Sequence, residues 1–210
     1  MENMEFGTLN FGATNFIGVY LLPEVIAKFH DIYPNITINM VINSSKNIFE
    51  MLQKNQLEFF FASDYVISDT KRYLVNKYCV DELKLIVGSK HPLFAQNSCS
   101  LFDVQKELYI TKNKKSSQYR FLEGIFSQYG FHFNKELYIS HQEAIKESVI
   151  HNIGISVMSS KMVEREVQAG LLSTLNFEET SIKRNIQYVQ MKDKVLTPAA
   201  QKFLELVNSD

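Results

Sequence analysis

The chain has 210 residues, 45% of them hydrophobic and 12% aromatic, which is enough apolar surface for one large core or two small ones. Its formal net charge of −1 lacks the basic excess with which a nucleic-acid groove displaces counterions from phosphates, so any contact with DNA requires another segment. No stretch approaches the roughly 18 consecutive apolar residues of a membrane span, Met1-Glu2-Asn3-Met4-Glu5 is acidic where a secretory signal is basic, and Cys79 and Cys99 alone make neither a disulfide scaffold nor a zinc site. The expectation is a cytoplasmic α/β protein with two reduced structural cysteines, no cofactor and no membrane partner.

Leu9 and Phe11 alternate with polar neighbours, which predicts a strand, and Ile17, Leu21, Val25 and Phe29 then recur at helical spacing until Pro34 stops the helix. Pro23 lies inside that pattern, so the helix kinks there or its regular part begins there. Ile36, Ile38, Met40 and Ile42 alternate again, Ile48, Met51 and Leu52 form a short apolar face, and Leu57 to Ala62 is almost wholly apolar. The unit reads βαβαβ, and a strand as greasy as Phe59-Phe60-Phe61-Ala62 fits a parallel sheet covered on both faces.

Two β-rich pieces, Tyr73 to Val80 and Leu83 to Val87, meet at Asp81-Glu82 with no turn residue between them, which predicts an extended crossover. The pattern then restarts: a strand over Leu108 to Thr111, a helix from Ser116-Ser117 to Gly130, a strand over Leu137 to Ile139, and a helix opened by a capping box at Ser140-His141-Gln142-Glu143. A strand over Ile155 to Met158, a helix from Ser159-Ser160 to Gly170, a strand around Ile186 to Met191 and a helix capped by Thr197 complete the chain.

The joints carry the chemistry. After successive strands the chain enters a helix through Gly12-Ala13-Thr14-Asn15, Asn43-Ser44-Ser45, Ser116-Ser117-Gln118 and Ser140-His141-Gln142, all rich in hydroxyl and amide side chains. In open α/β sheets such joints lie beyond the carboxyl ends of the strands, where ligands bind, and each is a helix start with unpaired N–H donors suited to a small carboxylate, sulfate or phosphate. The small residues at the first joint let an anion approach the backbone. Ordinary helix capping selects the same residue types without any ligand. Lys112, Lys114 and Lys115 crowd ahead of the third joint, either facing an anion or forming a solvated loop, and Arg120 and His141 are the single residues best placed to pair with a ligand's charge. Enzyme signatures are thin: His141-x-Glu143 lacks the cysteine half of a zinc deaminase, there is no G-x-S-x-G or H-E-x-x-H, and Ser63-Asp64 has no histidine near it in sequence.

The blocks GTLNFGATNFIGVYLLPEVIAKFHDIYPNITINMVINSSKNIFEMLQKNQLEFFFAS, DELKLIVGSKHPL and QEAIKESVIHNIGISVMSSKMVEREVQAGLL, in that order and spacing, resemble the effector-binding domain of LysR-type transcriptional regulators. The resemblance implies two Rossmann-like lobes joined by two crossover strands, a fold like the type 2 periplasmic binding proteins, with residues 1–81 plus 176–210 as one lobe and 82–175 as the other. It implies a small effector, an anion by the residue types, held between the lobes of a homodimeric or homotetrameric regulator. DNA contact then belongs to a helix-turn-helix domain absent from this chain. By position it assigns effector binding to Thr14, Asn15, Asn43, Ser44, Ser45, Ala62, Ser63, Ser116, Ser117, His141, Gln142 and the turn at Gly154-Ile155, and it puts the crossings near Val80-Asp81-Glu82 and Leu175-Asn176-Phe177. Arg120 stands one place later than in relatives with a Ser-Gly-Thr-Arg loop. A solute-binding transport protein, or an enzyme using His141 or Ser63 on the same scaffold, are the alternatives.

Overall fold

The computed structural model describes residues 6–66 and 71–209; the acidic run at residues 1–5 lies outside them. The chain divides into two compact units, one made of the residues up to Val80 together with those from Asn185 onward, the other of Asp81–Arg184.

In the first unit, β1 (Gly7–Ala13), β2 (Ile36–Ile42) and β3 (Phe59–Ser63) are parallel, with β1 central, and β10 (Ile182–Met191) runs antiparallel beside β3. The helix α1 (Leu22–Ile32) links β1 to β2, α2 (Ser45–Gln53) links β2 to β3, and α6 (Pro198–Val207) follows β10. Alternation along β3 explains its composition. Phe59 and Phe61 point to the face where Phe11, stacked on Phe59 at 5.2 Å, also meets Phe203 of α6 at 4.9 Å, while Phe60 and Ala62 point to the opposite face and pack with Ile48 and Leu52 of α2. Both faces are covered, so no polar residue interrupts the strand.

Pro23 is accommodated by a change of helix type. The turn Ile17–Leu21 is π-helical, with the Leu22 N–H bonded to the Ile17 carbonyl five residues back, and regular α-helix begins at Leu22 with Pro23 in its first turn. The wider turn relieves the clash a proline makes with the preceding carbonyls. Gly12 serves packing: a Cβ there would lie 2.8 Å from Leu57 Cδ1 and 3.0 Å from Ile48 Cγ2, so the glycine lets α2 close on the sheet. That corrects the expectation that it opens the backbone to an anion.

In the second unit, the distal part of β4 (Tyr73–Gly88) runs antiparallel between β8 (Ser156–Ser159) and β9 (Leu172–Phe177), and β9 pairs with the two-residue β5 (Ser98–Cys99). The parallel pair β6 (Leu108–Thr111) and β7 (Lys135–Tyr138) is extended by a bridge from Tyr109 to Ile155. Around these strands pack α3 (Ser117–Gln128), α4 (Gln142–Ile150) and the short α5 (Glu164–Gln168). Gly130, at φ +62°, ends the α3 segment in a conformation that other residues adopt only with strain. Leu85, Val87, Tyr109, Leu122, Phe126, Ile155 and Leu175 form the core.

The two β-rich pieces read around Asp81-Glu82 are one continuous strand, β4, and the passage between units falls within it at Val80–Asp81. The return lies within β10 at Arg184–Asn185, not near Leu175-Asn176-Phe177, because those residues are held in the second unit by β9's pairing with β4 and β5. Asp81 and Arg184, adjoining the two passages, are 1% and 3% exposed and ion-paired at 2.8 Å, and the Ser159 hydroxyl donates to the other Asp81 oxygen at 2.6 Å. Removing one member of such a pair costs far more than the pair contributes. Asp81→Ala therefore lowers the unfolding free energy by about 3–5 kcal/mol in urea titration.

Candidate functional site

Parallel pairing gathers the predicted joints within each unit. In the first, Ala13 lies opposite Ile42 on one side and Phe61 on the other. The Thr14 N–H donates to the Phe61 carbonyl at 3.1 Å and the Asn43 N–H to the Ala13 carbonyl at 3.2 Å, so Thr14, Asn43–Ser45 and Ser63 leave the sheet at one edge. Ala13 and Ala62 are fully buried.

At this edge, capping and spare donors separate residue by residue. Ser44 Oγ accepts the Asn47 N–H at 3.3 Å, and Asn43 Oδ1 accepts both the Ser44 N–H at 2.8 Å and Asn47 Nδ2 at 2.9 Å. Asn43 and Ser44 thus serve the start of α2. The neighbouring hydroxyls of Thr14, Ser45 and Ser63 have no hydrogen-bond partner among the described residues, and Asn15 Oδ1 is buried without one. The joint carries more polar groups than capping uses.

The second unit repeats the pattern. Thr111 lies opposite Tyr138, and the Ile139 N–H donates to the Thr111 carbonyl at 2.9 Å, so the starts of α3 and α4 follow the carboxyl ends of neighbouring strands. Ser116 caps α3 by accepting the Tyr119 N–H at 3.1 Å, which leaves the Ser117 hydroxyl without a partner among the described residues. Gln142 is buried, and its Nε2 donates to Gln118 Oε1 at 2.9 Å, tying the first turns of α3 and α4 together. The capping box does not form. The cap position of α4 is His141, which makes no side-chain cap, and Glu143 turns instead to Lys146 at 3.0 Å. The first turn of α4 therefore keeps N–H groups that no capping side chain takes. His141 and Arg120 are exposed. Ile155, expected on the wall of the site, is a core residue: its side chain is fully buried, its N–H donates to the Leu108 carbonyl and its own carbonyl accepts the Ile110 N–H.

The three lysines of the loop part company. Lys114 pairs with Glu136 at 3.5 Å and Lys115 is exposed. Lys112, directly after β6, is half-buried and has no ion-pair partner among the described residues; burial first, and then the Arg184 guanidinium, hold its ammonium below the ordinary lysine value. A cation kept partly from water beside another cation is poised for an anion. The sequence placed Lys112 in a group of three without distinguishing it; the signal lay in its position one residue past the strand.

Asp64 Oδ2 accepts Asn185 Nδ2 at 2.7 Å, and among the described residues no three His, Cys, Asp or Glu side chains come together as metal ligands. Burial, and then Asp103, Glu179 and Glu178, push the Cys99 thiol up to about 12, so it stays a neutral core group.

Residues 2–210 match the LysR substrate binding domain. The chain belongs to that family. It is 24% identical over 204 residues to the HTH-type transcriptional regulator CysL of Bacillus subtilis, covering 97% of this chain and 68% of that protein. The chain spans about two thirds of the length of the curated relatives it matches, among them probable RuBisCO transcriptional regulators. The regulatory domain of Synechocystis PCC6803 CcmR in complex with 2-PG superposes with a TM-score of 0.85 at 22% identity, covering 97% of this chain and 96% of that one. The effector binding domain of QuiR in complex with shikimate gives 0.83 at 20%, covering 96% and 95%. The fold of this LysR domain is thus the type 2 periplasmic-binding-protein-like one.

Capping and spare hydroxyls are separable by stability. Ser44→Ala and Ser116→Ala each cost about 1 kcal/mol in urea titration, whereas Thr14→Val and Ser117→Ala stay within about 0.5 kcal/mol of wild type. Lys112→Met, which removes a poorly solvated charge, raises the melting temperature by roughly 2–4 °C in scanning calorimetry.

Proposed function

We propose that this LysR domain is the effector sensor of a transcriptional regulator and that its effector is a small anionic metabolite. The observation that carries the reading is the set of polar groups left over after capping among the described residues: the hydroxyls of Thr14, Ser45 and Ser63 in the first unit, and in the second the Ser117 hydroxyl, the uncapped start of α4 and Lys112, which has no ion-pair partner there. Helix starts offer N–H donors and positive dipole ends, and Lys112 adds a full charge, so the complement is a carboxylate, phosphate or sulfate. The ligands named for CcmR and QuiR, 2-PG and shikimate, support an acidic metabolite.

The effector acts by shifting the populations of conformations already present. It moves them only by its difference in affinity between states, typically about 1–3 kcal/mol of coupling. In the full regulator this alters how paired helix-turn-helix units engage DNA half-sites, and the domain works in the cytoplasm as part of a homodimer or homotetramer. The domain senses without turnover: among the described residues His141 is exposed with no cap or ion pair to orient it, and Ser63 has no base bonded to it.

The test is a thermal-shift screen with 2-PG, shikimate, inorganic phosphate, sulfate and small carboxylates, followed by calorimetric titration of the best compound. An anion raises the melting temperature, and Thr14→Val, Ser117→Ala and Lys112→Gln each weaken it by about five- to tenfold, the loss of one hydrogen bond or charge contact. Stabilisation by neutral or cationic compounds alone, or unchanged affinity in variants of both units, overturns the reading.

A further inference from the structure

The second unit contains a cavity on the body of α3 that none of the groups assigned to the effector lines. It has a volume of about 170 Å³ and lies among α3, β6, β7 and the segment 131–133. Its inner wall is aromatic: Tyr109, Phe126, Phe131 and Phe133, with Leu122 completing it. Tyr109 and Phe133 are stacked at 4.0 Å, and Phe126 meets Phe131 and Phe133 edge-on at 5.4 and 5.7 Å. Exposed residues Glu123, Ser127 and His132 also line it, so it reaches solvent.

Size and shape select the guest. An apolar cavity of about 150 Å³ holds a benzene, so this one takes a single six-membered ring, and ring faces and edges on its wall suit a flat aromatic partner. Charge selects the rest of the molecule. Lys114 is engaged by Glu136 at 3.5 Å, and the Tyr119 hydroxyl donates to the same carboxylate at 2.8 Å, as does Tyr138, so the one cation among the lining lysines and arginines is already neutralised. Glu123 has no ion pair among the described residues, which leaves the rim with a surplus of negative charge. The Tyr119 phenol reports the same field: burial first, then its bond to Glu136 and the charges of Glu136 and Glu123, raise it above the ordinary tyrosine value.

We propose that this cavity is a binding site for a small aromatic amine, its ring among Tyr109, Phe126, Phe131 and Phe133 and its ammonium group at Glu123. The ligand is opposite in charge to the proposed effector and stands on different residues, so the site holds whether or not that reading does. Because the same helix carries Ser117 and Gln118 in its first turn, occupancy of the cavity acts on the element that presents the anion-binding groups of this unit. Any coupling between the two ligands is then reciprocal.

The experiment is calorimetric titration of the full 210-residue chain with 2-phenylethylamine, phenylacetate and cyclohexylamine. 2-Phenylethylamine binds, and more tightly than either of the others. Glu123→Gln, an exposed substitution, weakens it by about two- to fivefold, the worth of a surface ion pair, and narrows its advantage over phenylacetate. Ser127→Phe fills the mouth and abolishes binding, with circular dichroism and melting temperature unchanged. Absence of binding by the amine, equal affinity for phenylacetate, or binding that survives Ser127→Phe overturns the proposal.

Discussion

Parallel strand pairing is the constraint on which the rest of this molecule depends. Because Ala13 faces both Ile42 and Phe61, three chain segments leave the first sheet side by side, and because Thr111 faces Tyr138, two more do so in the second unit. Parallel strands require crossover helices, so strand ends become helix starts. Topology thereby collects N–H donors at one edge of each unit before any side chain is chosen. The same constraint demands apolar residues on both faces of β3, and the run of phenylalanines meets that demand.

What side chains add is a division of labour. Ser44 and Ser116 are consumed by their own helices, while Ser45 and Ser117, each the next residue along, are not. A spare hydroxyl is cheap at a partly exposed position. Lys112 is a costlier element, since a half-buried ammonium near Arg184 destabilises the domain unless an anion answers it. Retaining such a group is the pattern of a protein that trades stability for recognition. Asp81, by contrast, has both carboxylate oxygens answered, one by Arg184 Nε and the other by the Ser159 hydroxyl.

Much of this was legible in the chain. Period-two alternation located β1 and β2, and the strand over Leu108–Thr111 is as read, because burial on a pleated or helical face leaves a periodic trace. β9 escaped, since Leu172, Leu175 and Phe177 alternate only in part, and β5 is too short to show any period. The second passage was misplaced for a related reason: β10 runs unbroken through it, and only pairing partners reveal which half belongs to which unit. At the site, residue type identified the joints but not the roles within them. Adjacent serines look alike until one is seen to cap, Ile155 reads as a turn residue until its side chain is found in the core, and Lys112 differs from Lys114 only through what surrounds it. Tertiary neighbours decide those questions, and a single sequence does not carry them.

The central claim is that the spare donors at these strand ends grip a small anion. A backbone-amide NMR titration with 2-PG, and in parallel with inorganic phosphate and shikimate, tests it most directly. One of these anions is expected to shift the resonances of Thr14, Ser45 and Ser63 in the first unit and of Ser117 and Gln142 in the second, in saturable fashion. Shifts confined to exposed lysines such as Lys115, or growing linearly with anion concentration as ionic strength alone produces, contradict it.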